Sequence, residues 1–467
     1  MKTFEDLQNA GANPIKFVLD AINEHKASPL YAEAKTAYEY FKHRNVTITN
    51  YQRLLYTLSG EAVPDNYSAN YKCANGFFPK IIIQEVSHLM GEGVTFNEDD
   101  TKEQLGGAQF DTTLQTLAEF ALWGAVGFGF MNLDHVDVFN VLEFVPLFGE
   151  TDGALHAGIR FWRIAPNKPL RATLYEQDGY TDYIWDDQSS DGRILTPKTS
   201  YKLIYTESVA DGVQILDGQN YPNFPIVPLW GNPEHQSELV GRRENLDCYD
   251  LIKSGFANDL DDASQIYWTL KNAGGMDDID LAKFVERMKV VKAVALPDDV
   301  EAQADTLEVP YAARQALLDR LRTDIYEDAM ALDTKAISAG NITATAINAA
   351  YEDLSLKCDR FERCVTDFIY GLLELLEIED EPTFKRSKII NMQEDTQMIL
   401  SAAQYLDDET ILKHLPFLNI DEVEAILKNL DKEESERYPF EGVGDGEDEG
   451  EDGQETAADG AQNKENL

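Results

Sequence analysis

The chain has 467 residues and a formal net charge of −44 at pH 7, with 84 acidic side chains against 40 basic ones. Its apolar share of 43% and aromatic share of 10% favour folded domains over disorder, and its length allows two or more of them. A surface this acidic argues against nucleic-acid binding through a basic patch and against adhesion to an anionic membrane.

Cysteine usage and hydropathy indicate the compartment. The chain has four cysteines without CxxC spacing: Cys73, Cys248, Cys358 and Cys364. Such cysteines are typical of buried thiols in a reducing compartment, rather than of disulfides or a zinc site. The N-terminus lacks a signal-peptide pattern, and the most apolar stretch, 117–133, is interrupted by Glu119 and is too short to span a bilayer. We therefore expect a soluble protein without membrane contacts that starts its life in the cytoplasm.

The first half of the chain predicts helices followed by strands. Helical patterns lie within 1–60, most clearly at 34–44, and recur at 78–89 and 111–122, with a short strand at 94–96. The period then changes to two, which predicts one antiparallel, partly exposed β-region with strands at 141–148, 156–164, 171–175, 180–185 and 199–205. The prolines of 224–230 indicate an extended edge strand that closes this region.

Helical periodicity returns in the second half. A stripe that includes Leu246, Tyr267 and Leu270 predicts helix from 237 to 271. A short helix at 281–288, a strand at 290–296 and a helix at 314–332 follow. Further helices are expected at 394–406, 408–414 and 421–435. Residues 441–467 contain almost no apolar side chain, which predicts a disordered acidic tail.

The most regular segment is 347–376, whose apolar residues recur at steps of four and three. They are Ile347, Tyr351, Leu354, Cys358, Phe361, Val365, Phe368, Leu372 and Leu375. The spacing predicts one long helix, roughly 45 Å at ~1.5 Å per residue, with Lys357 and Arg363 among the charged residues of its other face. Its length suggests that the apolar stripe needs a partner along the whole helix. The small and polar residues 333–346 before it predict a mobile loop.

Catalytic and cofactor motifs are largely missing. The sequence contains no Gly-Lys dipeptide, so a Walker A phosphate site is excluded, and neither a Gly-x-Ser-x-Gly elbow nor a His-Glu-x-x-His pair is present. The seven histidines are scattered, which favours ordinary surface or capping roles over metal binding. Gly127-Phe-Gly129 lacks the third glycine of a dinucleotide fingerprint and follows a helix, so it predicts close backbone packing.

Two aspartate clusters permit an alternative function. Asp259-Leu-Asp-Asp262 and Asp277-Asp-Ile-Asp280 could hold Mg²⁺ against a diphosphate, as in helical isoprenoid-type enzymes. The fourth position after Asp261 is Gln265, and after Asp277 it is Leu281, so the spacing fails in both clusters. In a chain this acidic, solvated or capping residues explain them better.

Several segments, taken in order, resemble the portal proteins of tailed double-stranded-DNA bacteriophages, of the siphophage type. The most specific is 225–239, Pro-Ile-Val-Pro-Leu-Trp-Gly-Asn-Pro-Glu-His-Gln-Ser-Glu-Leu. Asp247-Cys-Tyr-Asp250 and Ser254-Gly-Phe-Ala-Asn-Asp-Leu260 follow where that family places similar patterns. Thr343-Ala-Thr-Ala-Ile347 stands where many members have Ser-Gly-x-Ala-Leu, so the flexible glycine is replaced by Ala344.

The resemblance implies an α+β, mainly helical portal fold assembled as a ring of about twelve copies. The implied regions are a wing of N-terminal helices and β-region at 1–236, a first stem helix at 237–272, a clip at 273–310, a second stem helix at 311–332, a channel (tunnel) loop at 333–346, a long wing helix at 347–380, a wing return at 381–395, crown helices at 396–440 and the acidic tail at 441–467.

The implied function is a DNA conduit at one capsid vertex that connects head to tail. Genomic DNA would enter during packaging and leave during ejection, without sequence-specific contacts. The implied partners are identical copies, the terminase large subunit, a head-completion or adaptor protein, and the major capsid and scaffolding proteins. No enzymatic activity, cofactor or metal is implied, and the location is the virion, with the host cytoplasm during assembly.

The channel loop is the candidate site. Its residues that could touch DNA are Lys335, Ser338, Gly340, Asn341 and Thr343, and Lys335 is the only basic side chain among them. A flexible surface loop without DNA contact is the alternative for this segment. For the whole chain, the alternatives are the Mg²⁺-dependent helical enzyme and another acidic phage head or scaffold protein.

Overall fold

A computed structural model of the chain describes residues 2–11, 14–56, 59–66, 68–186, 192–208, 212–263, 267–271, 301–305, 310–337, 344–387, 392–405, 408–415 and 426–429, and the single positions 279, 283, 286 and 423. The predicted segments 281–288, 290–296 and 441–467 lie outside these residues or almost entirely so. The chain divides into two compact units, Met1–Ile389 and Ile390–Leu467.

The helices of the first unit are α1 Phe4–Asn9, α2 Ile15–Lys26, α3 Pro29–Phe41, α4 Val46–Asn50, α5 Phe77–Met90, α6 Asp99–Gln104, α7 Ala108–Gly124, α8 Arg243–Ala263, α9 Tyr311–Asp328, α10 Thr334–Ile337 and α11 Ala344–Leu376. In the second unit they are α12 Met392–Ala402 and α13 Asp408–His414, with a 3₁₀ turn at Ala403–Tyr405. These helices confirm the helical patterns predicted at 34–44, 78–89, 111–122, 394–406 and 408–414. No helix among the described residues is long and apolar enough to cross a membrane.

The strands, all in the first unit, are β1 Leu54–Tyr56, β2 Ala62–Pro64, β3 Val94–Thr95, β4 Val126–Asn132, β5 His135–Asn140, β6 Phe144–Phe148, β7 Leu155–Trp162, β8 Leu170–Glu176, β9 Gly179–Trp185, β10 Arg193–Thr199, β11 Lys202–Ser208, β12 Gly212–Gln219, β13 Ile226–Trp230, β14 Tyr267–Lys271, β15 Glu301–Asp305 and β16 Thr383–Phe384. The fold is thus a mixture of helices and antiparallel strands.

The predicted β-region divides into separate antiparallel sheets. Strands β6 to β10 form a five-stranded meander in sequence order, β13, β4 and β5 form a second sheet, and β11 pairs with β12 alone. Strand β13 lies at an edge, as its prolines predicted. The meander packs on α2, so that Phe17, Val18 and Ile22 share one core with Trp185 and Tyr183.

The glycines of β4 allow helices to approach the sheet closely, which confirms the packing role predicted for Gly127 and Gly129. A Cβ at Gly127 would lie 2.6 Å from Cδ1 of Leu117 on α7, and one at Gly129 would lie 2.5 Å from Cζ of Phe368 on α11. Contacts this short do not occur, so larger residues would push these helices away from the sheet.

Helix α11 is buried by its own chain. Eight residues of the predicted stripe are at most 6% exposed and belong to the main core: Tyr351, Leu354, Cys358, Phe361, Val365, Phe368, Leu372 and Leu375. The partners are α5 and the β4–β13 sheet; Cys358 lies against Glu85 of α5, and Gly371 against Val227 of β13. The partner that the stripe was expected to need thus lies within the first unit, and not in neighbouring copies of the chain.

The helix predicted from 237 to 271 ends earlier than expected. Helix α8 spans Arg243–Ala263, and Tyr267–Lys271 is strand β14, paired with Glu301–Asp305 of β15. Two residues of the apolar stripe, Tyr267 and Leu270, fit a helix in sequence, but the run Tyr-Trp-Thr consists of aromatic and β-branched residues that favour strands. The proposed first stem helix therefore does not reach residue 272.

Two histidines are buried, contrary to the surface or capping roles predicted for them. The His25 ring is fully buried, with Nε2 2.8 Å from the carbonyl oxygen of Val141, and burial lowers its pKa. The His88 ring is 2.7 Å through Nδ1 from the carbonyl oxygen of Ser387 and stacks on Tyr351. Both rings link helices to loops inside the core. The four cysteines are free, as expected, although only Cys358 is buried.

Candidate functional site

Helix α8 carries a polar spine, which we define as Asp247, Asp250, Ser254 and Asn258. The spacing of three, four and four residues places them on one helical face. Asp250, Ser254 and Asn258 are each no more than 5% exposed. Buried polar groups require partners, and the partners here come from a distant part of the sequence.

Asp250 is the most buried member of the spine. Its carboxylate accepts hydrogen bonds from the side-chain amides of Asn45, at 2.8 Å, and Asn75, at 2.9 Å. Burial raises the pKa of Asp250, while these two donors oppose that rise. Asn45 also caps α4, since its Oδ1 accepts from the backbone N–H of Ile48.

The other members bind the same N-terminal segment. Asp247 accepts from the hydroxyls of Tyr40 and Thr47, Ser254 Oγ accepts from the N–H of Cys73 at 3.0 Å, and Asn258 Oδ1 accepts from the N–H of Tyr71 at 2.7 Å. The spine therefore fastens residues 40–75 along α8. The four residues of the spine are the polar residues of the Asp-x-Tyr-Asp and Ser-x-x-x-Asn patterns. These hydrogen bonds therefore explain why the patterns need polar side chains.

The opposite side of α8 packs on α9 in an antiparallel pair. Asn245 at the start of α8 donates to Asp328 at the end of α9, at 2.7 Å, and Asp259 near the end of α8 forms an ion pair with Arg314. Phe77 of α5 lies between the helices, 5.0 Å from the ring of Tyr249 and 5.7 Å from that of Tyr326.

These contacts bear on the Mg²⁺ alternative. Asp259 is already paired with Arg314, and the described residues include no group of three acidic, histidine or cysteine side chains that could hold a metal ion. The aspartates of the second cluster lie beyond the described part of the chain.

The start of the predicted channel loop is held at the end of α9. Asp333 receives two hydrogen bonds from Arg322, at 2.9 and 2.7 Å, and accepts from the N–H of Lys335 at 3.0 Å, so it caps α10. The bonds from Arg322 lower the pKa of Asp333. Helix α5 also stabilises this segment, because the side-chain amide of Gln84 donates to the carbonyl oxygen of Leu332 at 2.9 Å.

A buried charge cluster joins three elements next to this site. Lys357 Nζ of α11 lies 2.7 Å from carboxylate oxygens of both Glu85 on α5 and Glu238 before α8, and Glu238 also pairs with Arg242 at 3.0 Å. The cluster lies at a cleft of about 460 Å³. One lysine thus fixes the long helix to α5 and to the chain entering α8.

Burial and neighbouring charge act differently on the cluster. Burial raises the pKa of Glu85 to about 7, against the attraction of Lys357. For Glu238, burial alone would raise the pKa, but the charges of Lys357 and Arg242 outweigh it and lower the pKa. Burial would lower the pKa of Lys357, yet the two carboxylates raise it. Glu85 is the member whose protonation changes near neutral pH.

The sequence model of the family described as "Phage portal protein, SPP1 Gp6-like" matches residues 176–437, more than half of the chain. The chain belongs to this family. The resemblance expected from the sequence is thereby confirmed, and the match contains the polar spine, the α8–α9 pair, the predicted channel loop and α11.

Two portal proteins are similar to this portal chain over long stretches. The portal protein of Clostridium phage phiCD119 is 26% identical over 308 residues, which are 62% of this chain and 64% of that protein. The portal protein of Bacillus phage SPP1 is 23% identical over 463 residues, 90% of this chain and 86% of that protein. The chain thus spans slightly less than two thirds of the first relative and most of the second.

Solved structures give a weaker likeness. The neck of an empty gene transfer agent particle has a chain 13% identical, with a TM-score of 0.41, covering 72% of this portal chain and 88% of that one. A chain of the native gene transfer agent virion is 12% identical, with a TM-score of 0.40, covering 75% and 88%. At these TM-scores the likeness carries no conclusion.

The structure describes one of the five predicted DNA-contacting residues. Lys335 is exposed on α10, directly after the Asp333–Arg322 pair. Ser338, Gly340, Asn341 and Thr343 lie outside the described residues. Lys357 was predicted to lie on the charged face of the long helix, which was wrong, because its side chain is only 10% exposed. Its position next to Cys358 of the apolar stripe was the available signal.

Replacing Asp250 by alanine should release the N-terminal segment from α8. The change leaves the amides of Asn45 and Asn75 without their acceptor, at about 1–3 kcal/mol for each buried group left unpaired. We expect a lower free energy of unfolding and faster hydrogen exchange at Tyr71 and Cys73. Glu244→Ala, an exposed site on the same helix, is the control, with a change within about 0.5 kcal/mol. Unchanged exchange in Asp250→Ala would contradict the role of the spine.

Replacing Glu85 by glutamine should change the pH dependence of stability. A carboxyl whose pKa is raised in the folded state stabilises it below the unfolded value of 4.5, and that contribution is lost as the pH rises through about 7. Between pH 6 and 8, the wild type should therefore lose stability relative to Glu85→Gln. Urea unfolding at each pH measures this, and Glu92→Gln, at an exposed site, should run parallel to the wild type. If the free energy of unfolding of Glu85→Gln also ran parallel to that of the wild type between pH 6 and 8, the raised pKa of Glu85 would be refuted.

Proposed function

We propose that this portal protein forms a ring of about twelve copies at one capsid vertex and conducts double-stranded DNA through its centre. The observation that supports this is the family match over residues 176–437, which spans both packed helices α8 and α9 and the segment that follows them. The DNA enters during packaging, leaves during ejection, and is not recognised by sequence.

The regions are assigned by the same resemblance. Helices α8 and α9 form the stem, residues 333–346 the channel loop, α11 the long wing helix, and α12 and α13 belong to the crown. The N-terminal helices and sheets, with the return at 381–395, form the wing, and 273–310 form the clip. The clip docks the terminase large subunit and later an adaptor protein; the wing and crown face capsid and scaffolding proteins. The role is structural, without catalysis.

The electrostatics suit a conduit. Every Lys or Arg that neutralises a phosphate adds affinity, with a salt slope of about −0.9 per contact, and strong contacts would hold DNA back. A chain with a net charge of −44 offers few such contacts. At the start of the channel loop, Lys335 is exposed on α10 and is the basic side chain among the five predicted DNA contacts. One such weak contact per copy guides DNA without trapping it.

The assembly is tested by imaging. Negative-stain images of the purified full chain should show rings with a central hole. A compact single copy at every protein and salt concentration, or hydrolysis of a small substrate by the chain alone, would refute the proposal.

The contact with DNA is tested by Lys335→Ala. The variant should form normal rings but package DNA less efficiently, and the defect should be larger at low salt, where phosphate contacts are strong. Lys385→Ala removes the same charge from an exposed side chain paired with Glu92, and it should package like the wild type. Unchanged packaging by Lys335→Ala at low and high salt would refute the proposed contact between Lys335 and DNA. It would leave the proposed ring unaffected.

A further inference from the structure

The chain leaves α9 through a sharply turned segment, residues 329–333, which we call the loop root because the predicted channel loop begins there. Met330 has a φ of +49°, a left-handed conformation that non-glycine residues rarely adopt. Its N–H donates to the carbonyl oxygen of Glu327 at 3.0 Å. The N–H of Ala331 donates to the carbonyl oxygen of Tyr326 at 3.0 Å, which completes the Schellman pattern of a helix end. A strained turn of this kind persists only where its surroundings fix it.

Helix α5 supplies part of those surroundings. The side-chain amide of Gln84 donates to the carbonyl oxygen of Leu332, whose side chain is buried. One turn earlier on α5, Nζ of Lys80 lies 3.0 Å from the hydroxyl oxygen of Tyr326 and 5.2 Å from the centre of its ring. Helix α5 therefore holds both the last turn of α9 and the loop root that follows it.

Arg322 of α9 holds the far end of the loop root. Its guanidinium donates one hydrogen bond to each carboxylate oxygen of Asp333, at 2.9 and 2.7 Å. Its Cζ also lies 5.2 Å from the ring centre of Tyr326 and 5.8 Å from that of Phe77. These rings restrict the position of the guanidinium, and its fork of two bonds fixes the orientation of the carboxylate as well as its distance.

The same carboxylate sets the start of α10. Oδ1 of Asp333 accepts one hydrogen bond from Arg322 and another from the N–H of Lys335, at 3.0 Å. The side chains of Arg322 and Asp333 are 21% and 23% exposed, and ion pairs near the surface typically add little stability. The contribution of this pair is geometric, because the orientation of the carboxylate determines the direction in which α10 leaves the loop root.

We propose that Arg322 is a positioning residue for the DNA contact: through Asp333 it fixes the place at which α10 presents Lys335 to the phosphates. This inference rests on the proposed contact between Lys335 and DNA. A lysine side chain is a point charge on a flexible stem, so its reach depends on where its backbone is held. Without the fork, the start of α10 would have to be ordered at each contact, and that cost weakens binding.

Two full-length variants break the fork and keep its other features. Arg322→Lys keeps the positive charge but cannot donate two parallel bonds, and Asp333→Asn keeps an oxygen that can cap α10 but loses the charge that binds the fork. Both should form rings in negative-stain images and package less DNA than the wild type, with a loss close to that of Lys335→Ala. Arg320→Lys is the matched control, because that exposed arginine pairs with Asp324 on the same helix, and it should package like the wild type.

A double variant separates positioning from a general loss of stability. Arg322→Lys/Lys335→Ala should package as much DNA as Lys335→Ala alone, because positioning has no effect once the ammonium group is gone. The comparison is made at a salt concentration where Lys335→Ala still packages measurably. Losses that multiply in the double variant would show that Arg322 acts through stability or assembly, and would overturn the inference. If Arg322→Lys forms no rings, the same comparison with Asp333→Asn decides.

Failure of the positioning role is distinguishable from failure of the proposed contact. Wild-type packaging by both fork variants, together with a defect in Lys335→Ala, would overturn the positioning role and leave the contact between Lys335 and DNA intact. Wild-type packaging by Lys335→Ala would refute the contact, and the positioning role with it.

Discussion

The burial of α11 against its own chain determines the rest of the structure. Its apolar stripe meets β4 where Gly129 leaves room for Phe368, and β13 where Gly371 lies against Val227. Helix α5 covers the other end, around Cys358. Because one helix of 33 residues touches both the N-terminal helices and the edge of a sheet, every element that packs on it is placed relative to the others. The α8–α9 pair is placed in turn by α5, through Phe77 and Lys80.

The buried charges follow from the same arrangement. Where α5, α11 and the entry to α8 meet, Lys357 lies between Glu85 and Glu238. Buried ion pairs add little net stability, since desolvation offsets much of the attraction, but an incorrect arrangement would leave a charge unpaired at a cost of several kcal/mol. The cluster therefore favours one relative position of α5, α11 and the chain that enters α8. The entry to α8 is fixed, and with it the direction of the helix that carries the polar spine.

Periodicity and short-range chemistry were readable from the sequence, and contacts between distant residues were not. The stripe of α11 and the strands predicted at 141–148, 156–164, 171–175 and 180–185 follow from local spacing, and they match α11 and β6 to β9 within a few residues. Strands β4, β5, β10 and β12 were not predicted. Lys357 and His25 look like surface residues in sequence, because their partners lie over a hundred residues away. The five residues Tyr267–Lys271 fit the helical period and the strand period equally well in sequence. Their pairing with β15 shows that they form a strand. The motif around Asp250 was recognised as a pattern, but its reason, the amides of Asn45 and Asn75, required the structure.

The internal burial of α11 also separates folding from assembly. A subunit whose longest apolar surface were completed by its neighbours would have no stable single-copy state, as in obligate oligomers. Here the core is closed within one copy, and exposed apolar side chains of the described residues form short stretches, such as Leu54 and Tyr56 of β1. The first unit can therefore complete its core without a second copy of the chain.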